Sequence, residues 1–294
     1  IIPAASAADS GNQEGIFGFG TGAGGRTAVT NLVSDAGVVA TDVTGVGTAR
    51  SGIAACEYGG DKGIFGYGWT GSVASMTNLV SNAGVVSTDV TGVGTARYYA
   101  AGCSYGEDKG IFAFGTTQLG VSPTAVSNLV SNAGVVATDT AGVGTARRLP
   151  GACEYGGDKG IFAYGTPSGA ASMSNLVSNA GVVSTDVTGV GTARHYIAGC
   201  SYGEDKGIFG YGTVPPATAI TNLVSNTGVV STDVTGVGTA RHYLAATQYG
   251  GDKGIFGYGE TVSMTNLVSN AGVVATDTTG VGTARSTLAA CSFN

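Results

Sequence analysis

Charged side chains make up only 11% of this 294-residue chain, and their balance is acidic, at −6. A nucleic-acid surface needs a basic stripe to neutralise phosphates, and a membrane-surface helix needs lysines and arginines along one face. Neither pattern is present. The long uncharged stretches, such as 110–138, are dense in Ser, Thr, Asn and Gly and would strand too many polar groups in lipid to be inserted in a membrane. Histidine occurs twice and tryptophan once. The five cysteines form no C-x-x-C pair and no cluster with histidine, which argues against a metal such as zinc. No segment keeps a helical period, no three-residue spacing organises the 53 glycines, and no motif points to a cofactor.

What the chain does have is repetition. The tripeptide Gly-Ile-Phe places its isoleucine at Ile16, Ile64, Ile111, Ile161, Ile208 and Ile255, at spacings of 48, 47, 50, 47 and 47. Each unit holds four strand-like segments; in the second they read GIAACEY, GIFGYG, SMTNLVS and GVVSTDV. The turns GGDK and SNAG join the first pair and the last pair, with glycines that supply the backbone angles of a tight reversal. The β-branched Val-Val-x-Thr-x-Val run resists a helical reading. A period near 47 built only from short strands predicts an all-β, six-bladed β-propeller with four antiparallel strands per blade. The competing architecture is an open β-solenoid.

On that reading 1–294 is one domain, with blades near 1–50, 51–97, 98–147, 148–194, 195–241 and 242–285 and a closing strand at 286–294. A first-strand segment appears seven times and the others six, so TLAACSFN is expected to pair with GIFGFG near the N-terminus and remove the open edge. The alternative places IIPAASAA in that blade. The first residue is Ile, which we expect of a processed product or a segment of a longer chain.

An arginine, a small apolar strand, a turn and a second strand ending in glycine resemble the Kelch-type propeller repeat, with Arg97…GIFAFG and Arg241…GIFGYG in the places of its Arg and Gly-Gly. The fourth strand departs from it: Kelch repeats carry a tryptophan there, and this chain has VVSTDVTG. IFGYG, STDVTGVGTAR and AACSF or AGCSY are more similar to the Kelch-like repeat of marine bacteriophage tail and virion proteins, over all six units. That resemblance implies a non-enzymatic structural or host-attachment module in an extracellular virion. Its partners would be virion structural proteins or a host-surface glycan or protein, and it would belong to a longer chain or a homo-oligomer. A secreted lectin-like carbohydrate-binding propeller is the alternative.

Every unit carries an Asp eight residues before an Arg: Asp42/Arg50, Asp89/Arg97, Asp139/Arg147, Asp186/Arg194, Asp233/Arg241 and Asp277/Arg285. These predict repeated structural ion pairs or arginine-to-backbone staples between blades, in preference to an anion-binding ring of arginines. Cys56, Cys103, Cys153, Cys200 and Cys291, with Thr247 in the sixth place, read as small buried residues. The Asp-Lys turns read as turn chemistry. No GxSxG or HExxH occurs, and acids at equivalent positions do not make the unequal environments that acid–base catalysis uses, so catalysis is not expected.

The repeats disagree in two places. One is the segment after the second strand, of 10, 9, 12, 9, 9 and 6 residues at 21–30, 69–77, 116–127, 166–174, 213–221 and 260–265. The other directly follows the repeated arginine: Ser51, Tyr98, Arg148, His195, His242 and Ser286. In an up-and-down blade both lie on one face, which predicts a variable binding face carrying Trp69, Tyr98, Arg148, His195 and His242. Tyr99, Tyr196 and Tyr243 would add stacking surfaces there. The opposite reading is that these loops vary because nothing constrains them.

Overall fold

A computed structural model describes residues 13–118 and 122–293, so IIPAASAA lies outside the described residues. The chain is all-β. Its described strands form seven sheets of three antiparallel strands each. Six of these sheets are the repeats. The first strands are Ala54–Tyr58, Ala101–Tyr105, Gly151–Tyr155, Ala198–Tyr202, Ala245–Tyr249 and Ala289–Phe293. The second are Lys62–Trp69, Lys109–Ala113, Lys159–Ala163, Lys206–Gly210, Lys253–Gly257 and Glu14–Gly18, and the third are Val73–Val80, Ser127–Val130, Ser174–Val177, Thr221–Val224, Thr265–Val268 and Thr30–Val33. The seventh sheet joins Arg285–Ser286, Thr21–Gly22 and Gly25–Arg26.

Ala289–Phe293 pairs with Glu14–Gly18, Cys291 opposite Ile16, in the register by which Cys200 faces Ile208. The last strand of the chain therefore supplies the first strand of the N-terminal sheet, as TLAACSFN predicted. Each first strand also packs on that of the next unit, and Ala289–Phe293 packs on Ala54–Tyr58.

Two small-residue fits make this close packing possible. The cysteine of one unit presses on the Gly-Ile-Phe glycine of the next: a Cβ built on Gly254 would stand 2.6 Å from Cys200 Sγ. Every Gly-Ile-Phe phenylalanine is fully buried and meets, edge-on, the ring two residues after the corresponding phenylalanine of the previous unit; Phe256 lies 5.2 Å from Tyr211 and Phe17 lies 5.1 Å from Tyr258. Each such phenylalanine contributes about 1.5–3 kcal/mol by burial, with about 0.5–1.5 kcal/mol more from an edge-on pair.

The expectation of four strands per unit is corrected. The fourth segment touches the third strand at two isolated bridges, Val33 with Val39 and Thr30 with Val43, and the register slips by one residue between them. A buried asparagine adds to the few backbone bonds between them: Asn31 Nδ2 donates to the Ala40 carbonyl at 3.0 Å and to Asp42 Oδ1 at 2.9 Å. The extra residue makes a bulge, and bulges re-aim side chains. Here the bulge turns Asp42 toward a neighbouring unit.

Candidate binding face

That aspartate is half of a staple repeated six times. Asp233 accepts the Thr192 hydroxyl at 2.6 Å and the Thr192 N–H at 3.1 Å, besides the Asn222 amide at 2.9 Å. Burial alone would raise the Asp233 pKa; the hydrogen bonds from Thr192 and Asn222, with the charge of Arg194, hold it below the usual carboxylate value. Arg194 has no exposed surface; it lies 4.5 Å from the Tyr164 ring centroid and donates Nε to the Tyr211 carbonyl at 2.8 Å.

The pairing crosses between units. Arg50 meets Asp89 at 3.7 Å, Arg194 meets Asp233 at 4.0 Å and Arg241 meets Asp277 at 3.9 Å. The charges of Arg97, Arg147 and Arg285 act in the same way on Asp139, Asp186 and Asp42. None is paired with the aspartate eight residues before it, because the bulge directs each carboxylate at the preceding unit. Burial lowers the Arg147 pKa to about 10, with the Asp186 charge opposing the shift. All six arginines are sealed against rings and carbonyls, so they offer no anion-binding ring.

The GGDK turns form the other end of the molecule. Gly203 N–H donates to the Asp252 carbonyl of the next unit at 2.7 Å, and Gly250 donates to Gln13 at 2.8 Å, the position Asp occupies elsewhere. This end is less uniform than the sequence reading expected. The residue after each cysteine runs Glu57, Ser104, Glu154, Ser201, then Gln248 after Thr247, then Ser292. All of these but Ser292 border a cavity of about 40 Å³ lined by the first strands of all six units. Glu57 accepts the Ser104 hydroxyl at 3.1 Å and that of Ser292. Burial, then the Glu57 charge, pushes Glu154 up to about 8. The sequence reading missed these two acids. The signal was their alternation with serine at one repeat position, and it went unread because the neighbouring residues are so constant.

The variable positions meet at the opposite end. In five units the residue after the arginine pairs with the start of a variable loop: Ser51 with Trp69, Tyr98 with Thr116, Arg148 with Thr166, His195 with Thr213 and Ser286 with Thr21. The next residue is left-handed in every unit, at φ values from 55° to 61°: Gly52, Tyr99, Leu149, Tyr196, Tyr243 and Thr287. This turn carries backbone links between units, with Tyr99 N–H on the Gly52 carbonyl at 2.7 Å and Gly52 N–H on the Thr287 carbonyl at 2.9 Å.

The rings at these positions form one continuous patch. Trp69 lies 5.4 Å from Tyr98, Tyr98 lies 4.4 Å from Tyr99, and Tyr99 lies 5.8 Å from Tyr196. Tyr196 then meets Tyr243 at 4.0 Å, His195 at 4.9 Å and His242 at 5.6 Å. Tyr98 is itself buried, 6% exposed, so it supports Trp69 and Tyr99 and presents little surface of its own. A cavity of about 80 Å³ lies beneath the patch, walled by Tyr99, Tyr196, Tyr243, Leu149, Pro150 and Leu288. Burial, then the charges of Tyr243 and Tyr98, raises the Tyr99 pKa to about 12, and burial raises Tyr196 further. His195 is lowered by burial, then by Arg148 and His242.

Glu260 completes the patch, its Oε1 2.6 Å from His242 Nδ1. It stands where Thr116, Thr166 and Thr213 stand in other units, and the sequence reading did not select it. Among the described residues no group of three or more His, Cys, Asp or Glu side chains is placed to hold a metal ion. No protein-family model matches the chain, and no curated protein matches it either.

Proposed function

We propose that the chain is a closed six-bladed propeller that serves as a non-enzymatic binding module of a virus particle. It attaches through its variable face to a host-surface receptor or a neighbouring virion protein. The observation that carries this reading is the convergence of rings from different units on one end, at the positions where the repeats differ. Neighbour-to-neighbour contacts that run through all six units and return to Ala54–Tyr58 support the closed ring. The place in a virion rests on the resemblance of the repeat to Kelch-like phage tail and virion repeats.

A broad aromatic patch with a few polar groups is the composition that interfaces and ligand sites favour. Immunogold electron microscopy on virus particles purified from the source tests the reading. Labelling at tail tips or fibres supports attachment to a host, and labelling over the capsid supports contact with a neighbouring virion protein. Particles without label overturn the virion assignment and leave a secreted carbohydrate-binding propeller as the alternative.

A further inference from the structure

The charges around the aromatic patch differ from those of the rest of the molecule. Of thirteen lysines and arginines, six arginines are the buried staples, and the five lysines each lie beside the aspartate of a GGDK or GEDK turn at the far end. Arg26 belongs to the small seventh sheet. Arg148 is the one remaining cation. Among the described residues no hydrogen bond or ion pair engages its guanidinium, and its charge is felt at Tyr99, Tyr196 and His195.

Beside it, His195 Nδ1 is buried and, among the described residues, has no hydrogen-bond partner; His242 Nδ1, also without a hydrogen bond, at least faces Glu260. An orphaned buried polar atom calls for an explanation, and an absent ligand is one of the standard ones. The variable loops and post-arginine positions contain a single acid, Glu260, which lies against His242. Those same positions carry two permanent cations, Arg26 and Arg148, so in a chain of net charge −6 this face carries one more cation than acid.

We infer that this face binds a carboxylate-bearing sugar, its ring stacked on the Tyr99–Tyr196–Tyr243 patch and its carboxylate held by Arg148 and His195. The inference rests on the reading of this end as the binding face. A guanidinium matches a carboxylate with two parallel hydrogen bonds, and the His195 nitrogen gains the partner it lacks. Stacking on tyrosine suits the apolar C–H face of a sugar. Ring hydroxyls find partners on Ser51, Ser286, Thr287 and the tyrosine oxygens at the rim. The 80 Å³ beneath the patch admits a few water molecules and no whole sugar, so the ring lies across the rim.

The test is isothermal titration calorimetry with sialyllactose and with tetragalacturonate, each beside its neutral counterpart, lactose and the methyl-esterified tetramer. The expected result is binding of an acidic sugar and a loss of about tenfold or more for its neutral counterpart. Arg148→Gln is expected to lose as much, Arg148→Lys less, and Tyr196→Ala more, with unchanged thermal melts for the Arg148 variants. The neutral probes need no variant and keep the test valid should a substitution unfold the protein.

Equal affinity for acidic and neutral sugars, or indifference to Arg148→Gln, overturns the carboxylate and leaves the binding face standing. Displacement of the sugar by oligoglutamate at equal affinity overturns the sugar in favour of an acidic peptide. Failure of all four sugars overturns the inference. Adhesion of the labelled protein to the cells the particle infects then decides the underlying reading: loss in Tyr196→Ala retains the face, and no change removes it.

Discussion

Exchanging volume between Gly254 and Cys200 tests the packing on which the whole repeat depends. In Gly254→Ala the new methyl carbon would stand 2.6 Å from Cys200 Sγ, 3.2 Å from the Ser201 carbonyl oxygen and 3.4 Å from Val268 Cβ. Carbon and sulfur rest comfortably at roughly 3.5–4 Å, so two buried strands must separate by about 1 Å. Overpacking of this kind costs about 1–3 kcal/mol. Cys200→Ala alone removes a buried sulfur and leaves a small void, for about 1–2 kcal/mol.

In the double variant the methyl group occupies the space the sulfur vacated. The two losses therefore do not add: the pair should recover about 1–2 kcal/mol relative to their sum. Urea denaturation followed by circular dichroism gives the three differences, read as midpoints with unchanged slope. Additive losses, or a harmless Gly254→Ala, would refute the claim that the thiol of one unit sets the glycine of the next.

The aspartate staples make a second prediction. Asp233→Asn should cost about 2–3 kcal/mol at neutral pH, since it weakens the clasp on Thr192 and leaves buried Arg194 without its carboxylate. The folded pKa of Asp233 lies below its unfolded value, so this stability is complete above the ordinary aspartate range and is lost as pH falls through the folded value. Wild type and Asp233→Asn should therefore converge in strong acid. Glu154 has the opposite sign: its pKa, about 8 against 4.5, means that stability present below pH 4.5 is lost as pH rises toward 8. Glu154→Gln should match wild type in acid and be more stable by about 1–3 kcal/mol at pH 9, after discounting for water in the cavity; a constant difference would remove the role of burial. Finally, burial raises the pKa of all five thiols, so a disulfide reagent should label none in the native state at pH 8 and all five in urea. Rapid labelling of native Cys200 would show that its sheet opens.

The sequence by itself determined the period, the all-β character, the hairpin turns and the presence of a spare first-strand segment at one end or the other; the structure decided that Ala289–Phe293 is the one that pairs with Glu14–Gly18. The legible features depend on local chemistry that recurs: glycines at reversals, β-branched runs, and one first-strand segment more than there are second strands to pair with it. It also marked where variation gathers. Which partners the repeated residues choose was decided by tertiary structure. The arginine eight residues after an aspartate meets another unit's aspartate, because a one-residue bulge re-aims the carboxylate, and a bulge leaves no mark in spacing. That some of these tyrosines pack between units was legible, but not that Tyr98 is the buried one, since its neighbours Trp69 and Tyr99 come from a different loop and a left-handed turn. The approach of Glu260 to His242, and of Glu57 and Glu154 to one cavity, likewise required the units to be set side by side. Identical repeats specify their own hairpins; only their mutual packing makes unlike residues from distant units into one site.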